Sequence, residues 1–174
     1  MNTTLKRPEA KESSNYYILY VDQVDGNDFL KVLEEAMPKT VDFLNSLDAA
    51  KWDYRYADGK WSIKEVLLHM FDTERIMAYR ALRIARNDKA PLQGFEQDEY
   101  IPFVDAENRS PESIIEEYKA VRKATIEMFR YFNDDMLNRV GTASGNPFTS
   151  RALGFVIAGH EAHHLKIVKE RYLD

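Results

Sequence analysis

The sequence predicts an all-α protein built as a four-helix bundle, and three observations carry that prediction. Four long segments repeat apolar residues at three- and four-residue spacing, the period of a helix with one buried face. No segment reads as a credible hairpin, and no Gly-x-Gly-x-x-Gly follows a strand, which removes sandwich and dinucleotide-binding folds. A chain of 174 residues, 44% hydrophobic and 30% charged, is long enough for one domain around one core. The expected organisation is therefore a single domain over residues 1–174, with a loose polar arm over 1–15.

The elements follow in order. Residues 16–21, Tyr-Tyr-Ile-Leu-Tyr-Val, read as a strand or short helix whose aromatics serve the core. Phe29, Leu30, Leu33, Met37, Val41, Leu44 and Leu47 mark the first long helix, which Pro38 kinks or divides by removing a ladder bond. An aromatic-rich connection over residues 52–60 turns at Asp58-Gly59. The second helix opens on Ser62 and Glu65, the S-x-x-E capping box, with Trp61 and Val66 placed for a hydrophobic staple. Ile63, Val66, Leu67, Met70, Met77, Ala81 and Ala85 face its core side, and His69 lies at the edge of that stripe. Glu74 falls inside the stripe, where a carboxylate needs a partner; it pairs with an arginine or supports a site from behind. Arg75, Arg80, Arg83 and Arg86 read as a solvated face.

Residues 87–110 show no convincing period, and loops of that length are often binding loops or lids. Their mixture of Leu92, Phe95, Tyr100, Ile101 and Phe103 with Asp98, Glu99 and Asp105 suits the wall of a substrate site, or a cap on the core. Ser110, Pro111 and Glu112 start the third long helix, whose Ile114, Tyr118, Val121, Thr125, Met128 and Phe132 step by four and three. Residues 141–147 read as a loop on composition. The last helix starts near Thr149.

Composition limits the function. A net charge of -5 argues against nucleic acid as the main partner, since phosphate binding needs clustered Lys and Arg. The chain has no cysteine, which excludes disulfides, thiolate metal sites and an internal sulfur nucleophile. The polar first fifteen residues do not read as a signal peptide, and the longest apolar run near the end is too short to span a membrane. The expectation is a cytoplasmic protein with a small-molecule substrate.

The chemistry centres on Gly159-His160-Glu161-Ala162-His163-His164. Only four histidines occur in the chain, and three lie in this window. At about 100° per residue, His160 and His164 sit one turn apart and roughly 40° around the helix, a spacing at which two imidazoles can share one ion. His160 also shares the apolar stripe of Ala152, Leu153, Val156 and Ile167, so a buried structural histidine beside two surface ones is the plain alternative. The H-E-x-x-H pattern matches a zinc protease signature, yet no third ligand follows downstream. Glu161-x-x-His164 is half of a di-metal bundle site, yet no second E-x-x-H exists. The remaining arrangement joins His160 and His164 to His69 as three neutral ligands with open positions on the ion. At three-residue spacing His163 can take the place of His164.

The stretch Trp61-Ser62-Ile63-Lys64-Glu65-Val66-Leu67-Leu68-His69-Met70-Phe71-Asp72-Thr73-Glu74, with the histidine window at the far end, resembles the DinB-like superfamily. It is most similar to the YfiT-like branch of metal-dependent hydrolases and bacillithiol S-transferases, and Tyr54-Arg55-Tyr56 and Pro91-Leu92-Gln93-Gly94-Phe95 extend the resemblance. The resemblance implies a four-helix bundle, commonly a homodimer, with nickel or zinc held by His69, His160 and His164. It also implies transfer of a low-molecular-weight thiol to a small electrophile, with hydrolysis by metal-bound water as the alternative. A non-catalytic bundle that binds a metal or apolar ligand is the rival from outside enzymology. No catalytic residue beyond the ligands can be named from sequence.

Overall fold

The computed structural model describes residues 6–173. Its four long helices are α2 (Phe29–Asn45), α3 (Ile63–Ala85), α5 (Pro111–Arg130) and α7 (Ser150–Tyr172), with short helices α1 (Asn15–Val21), α4 (Gln97–Tyr100) and α6 (Asp134–Asn138) between them. Helices α3 and α2 each pack on both α5 and α7, so the consecutive helices α2 and α3 occupy opposite corners of an all-α four-helix bundle. Long connections on either side of α3 and α5 permit this crossing order. Pro38 lies inside a continuous α2.

The helix starts form as their side chains dictate. Ser62 accepts the Glu65 amide and Glu65 returns a bond to the Ser62 amide at 2.6 Å, completing the capping box of α3. Ser110 caps α5 with Pro111 at its first position, and Thr149 caps α7 by accepting the Ala152 amide at 3.0 Å. The expected core positions Ile63, Val66, Leu67, Met70, Met77, Ala81 and Ala85 are all buried.

Three expectations need correction. Residues 140–149 form an antiparallel hairpin of β1 (Val140–Ala143) and β2 (Asn146–Thr149), where the composition of residues 141–147 reads as a loop. Ser144 and Gly145 both adopt positive φ, 50° and 73°, as a two-residue primed turn requires, and Gly145 does so without a Cβ penalty. Arg80 is buried rather than solvated, because the 87–110 segment returns over α3 and lets its guanidinium donate to the Gln93 carbonyl (2.7 Å) and Ser144 Oγ (3.0 Å). That segment also joins the hairpin, with the Leu92 amide donating to the Thr142 carbonyl at 2.9 Å.

The third correction concerns the arm. Residues 1–5 lie outside the described residues, but Arg7 donates to the Val21 and Val24 carbonyls, each at 2.7 Å. Glu12 is buried against Arg151 at 2.6 Å and accepts from Thr149 at 2.8 Å. A desolvated, paired carboxylate anchors this part of the arm beside the start of α7.

Candidate metal centre

The centre begins with a close approach of two backbones. A Cβ on Gly159 would stand 1.8 Å from the Tyr20 carbonyl oxygen, so only glycine lets α1 press onto α7 at that turn. The contact sets the Tyr20 ring edge-on against the next residue, His160, with centroids 5.2 Å apart. From the opposite helix, the capping box fixes the entry of α3, and His69 follows two turns later beside the Trp61 ring, centroids 5.0 Å apart.

Between these walls His69, His160 and His164 converge, with ligand atoms all within 4.8 Å of one another. His160 Nε2 lies 3.1 Å from His69 Nε2 and 3.0 Å from His164 Nε2. Two nitrogens bonded to one ion at about 2.0–2.1 Å stand about 3 Å apart when their bonds meet near a right angle. The spacing therefore fits one shared ion. Hydrogen bonding alone is a poorer account, because Nε2 of a neutral imidazole carries either one proton or one lone pair and that of His160 would have to share it between two neighbours. His163 stays outside the cluster and turns toward Tyr20, ring centroids 5.4 Å apart.

Burial tunes the same donors. It pushes the His69 pKa down from 6.5 to about 4, against a small opposing pull from the Asp98 charge. It brings His164 to about 3 and holds His160 well below the usual imidazole range. All three are neutral at neutral pH, the form that ligates metal.

Glu161 does not join the centre. Its carboxylate accepts Arg122 Nη1 at 2.7 Å on one oxygen, and Tyr118 Oη at 2.6 Å and Thr40 Oγ1 at 2.9 Å on the other. Arg122 also grips Glu74 with three bonds of 3.0, 3.3 and 2.8 Å, which supplies the arginine partner that Glu74 required. Neither a protease-like base nor half of a di-metal site is available from a carboxylate so engaged.

A cavity of about 310 Å³ opens beside His160. Of the 87–110 segment, Phe95 and Asp98 line it, whereas Tyr100 and Phe103 do not, and Phe103 is 86% exposed. Tyr16, Tyr17 and Tyr20 form its other side, so these aromatics serve the site rather than the core alone. Their i, i+4 spacing over residues 16–20 was the available sequence signal. A larger apolar cleft of about 500 Å³ between α2 and α7 contains none of the histidines.

Known proteins agree with this architecture. The chain is similar to "Putative metal-dependent hydrolase OB0413" of Oceanobacillus iheyensis, 24% identical over 147 residues that cover 83% of this chain and 84% of the relative. YfiT from Bacillus subtilis, a solved four-helix bundle, superposes with a TM-score of 0.68 at 16% identity over 93% of this chain and 89% of its own. A mycothiol-dependent maleylpyruvate isomerase superposes with a TM-score of 0.64 at 12% identity, over 83% of this chain and 61% of the isomerase. The model of the DinB superfamily matches residues 33–168, a span holding all four histidines, and the chain belongs to that superfamily.

Proposed function

We propose that the chain is a metal-dependent enzyme in which His69, His160 and His164 hold one divalent ion, nickel or zinc, and that it transfers a low-molecular-weight thiol to a small electrophile. The observation that carries this reading is the convergence of three neutral imidazoles, those of His69 and His160 buried and that of His164 half-buried, at a centre whose His160 lines a cavity of small-molecule size. When bound, such an ion supplies Lewis acidity, lowering the pKa of an acidic ligand at its open position.

The chain's own residues do the rest. The histidines release no proton on ligation, since burial already keeps them neutral. Trp61 and Tyr20 cover His69 and His160 and restrict water on those sides. Glu161 is held by Arg122, Tyr118 and Thr40 and takes no proton from a nucleophile, which suits a nucleophile acidified by the ion. With no cysteine in the chain, the sulfur comes from a co-substrate, in keeping with the thiol dependence named for one structural neighbour.

Hydrolysis is the second reading, favoured by the name of the curated relative and by Glu96 and Asp98, whose carboxylates line the cavity and can accept a proton from water. Metal-loaded protein incubated with monochlorobimane and a panel of cellular thiols separates the two. Conjugation that requires one thiol, stops on chelation and returns with metal supports thiol transfer. Thiol-independent cleavage of ester or amide probes supports hydrolysis, and metal-insensitive turnover refutes both.

A further inference from the structure

The cavity beside the histidines carries two features that thiol transfer at the metal does not use. Its aromatic side consists of Tyr16, Tyr17 and Tyr20 from α1 with Phe95 opposite, and the tyrosine rings meet edge to face, with centroids 5.1 Å apart for Tyr16 and Tyr17 and 5.9 Å for Tyr16 and Tyr20. Its acidic side consists of Glu96 and Asp98, which enter no ion pair among the described residues. The Glu96 side chain caps nothing at the start of α4. Among the described residues no lysine or arginine lines the cavity, and the nearest guanidinium shown, Arg80, stands behind the lining residues Ser144, at 3.0 Å, and Phe95.

The independent observation is Thr73. It lies in the middle of α3, is 5% exposed, and lines the same cavity, yet its Oγ1 has no hydrogen-bond partner among the described residues. A buried threonine in a helix ordinarily donates to the carbonyl one turn back, as Thr125 does to Val121 at 3.1 Å. An unpartnered buried hydroxyl is unfavourable unless a ligand or water completes it. Thr73 stands one turn after His69 on the same helix, at the wall that His160 shares.

Resting on the reading of this cavity as the substrate site, we propose that it selects a small organic cation: an ammonium group held among the tyrosine rings and the Glu96 and Asp98 carboxylates, in a molecule whose polar group bonds Thr73 Oγ1. Aromatic faces attract ammonium groups through their quadrupoles, and unpaired carboxylates at the mouth add the opposite charge. The cavity of about 310 Å³ admits a molecule of modest size. A neutral or anionic analogue of equal shape gains neither attraction.

Choline and its uncharged isostere 3,3-dimethylbutan-1-ol test this, since they share a shape and a hydroxyl and differ in charge. Binding is measured by titration calorimetry on metal-loaded protein and again after chelation. Choline should bind roughly tenfold more tightly than the isostere in both states. That preference should fall several-fold in the Glu96→Gln/Asp98→Asn double variant, which leaves only the share the tyrosine rings supply and whose two positions are exposed and do not threaten folding. Thr73→Val, which keeps the shape and removes the hydroxyl, should weaken both probes several-fold. Equal affinity for the two probes, no detectable binding of choline at millimolar concentration, or an unchanged preference in the double variant would overturn the proposal. Failure of the protein to bind nickel or zinc would refute the metal reading alone, and the choline preference, measured without metal, would still stand or fall by itself.

Discussion

Replacing Arg122 by Met should cost more stability than any surface change, because among the described residues Arg122 is the only cation bonded to two buried carboxylates. Its side chain is 1% exposed, and those of Glu74 and Glu161 are 6% and 5%. The guanidinium makes three bonds to Glu74 and one of 2.7 Å to Glu161. Its own pKa is raised well above the ordinary value by the two carboxylates, against the cost of burial. Removing one member of such a network leaves uncompensated buried charge, worth about 3–5 kcal/mol. At about 4 kcal/mol, a domain of this size loses roughly 8–16 °C in Tm. Urea unfolding followed by far-ultraviolet circular dichroism at pH 7 gives the difference directly. A companion variant, Arg122→Met/Glu74→Gln/Glu161→Gln, removes the charges together and should recover much of the loss. A single variant within about 1 kcal/mol of wild type, or a triple variant no more stable than the single, would refute the reasoning.

Three further outcomes are expected. After chelation, stability should fall as pH drops from about 6.5 toward 4, because the unfolded histidines bind protons in that window while His69 and His164, held at about 4 and 3, do not; a His69→Gln/His164→Gln variant should show a shallower fall between pH 6.5 and 5, and identical slopes would exclude this origin. Gly159→Ala should lower stability by about 1–3 kcal/mol and unseat α1, since the new methyl overlaps the Tyr20 carbonyl; unchanged melting and unchanged hydrogen exchange over α1 would contradict the close approach. The helical signal should survive chelation at room temperature, because the apolar core is extensive without any ion, and a collapse of that signal would make the centre structural.

Much of this molecule is legible in its sequence wherever the information is local. The Ser62 and Glu65 box, the Ser110-Pro111 start and the Thr149 cap are read from neighbours three residues apart, and they form as expected. The pairing of His160 with His164 is likewise a property of one helix. What escaped depends on remote segments. Arg80 looks solvated on its own helix and becomes buried only because Gln93 and Ser144 arrive over it. The hairpin escaped because strands of four residues containing Gly141 and Pro147 carry little alternation, leaving Ser144-Gly145 as a lone turn signal. Glu74 announced a partner in its stripe, but which arginine answers depends on how α5 faces α3. Tyr16, Tyr17 and Tyr20 read as core because nothing in their own segment shows the cavity that α1 borders.

Metal stoichiometry in single histidine variants tests the central claim most directly. Wild-type protein loaded with nickel or zinc, cleared of free metal and assayed by elemental analysis should hold one ion per chain. His69→Ala, His160→Ala and His164→Ala should each lose it, with folding checked by circular dichroism, whereas His163→Ala should retain it. Full occupancy in His164→Ala with loss in His163→Ala, or no bound ion in the wild type, would contradict the account.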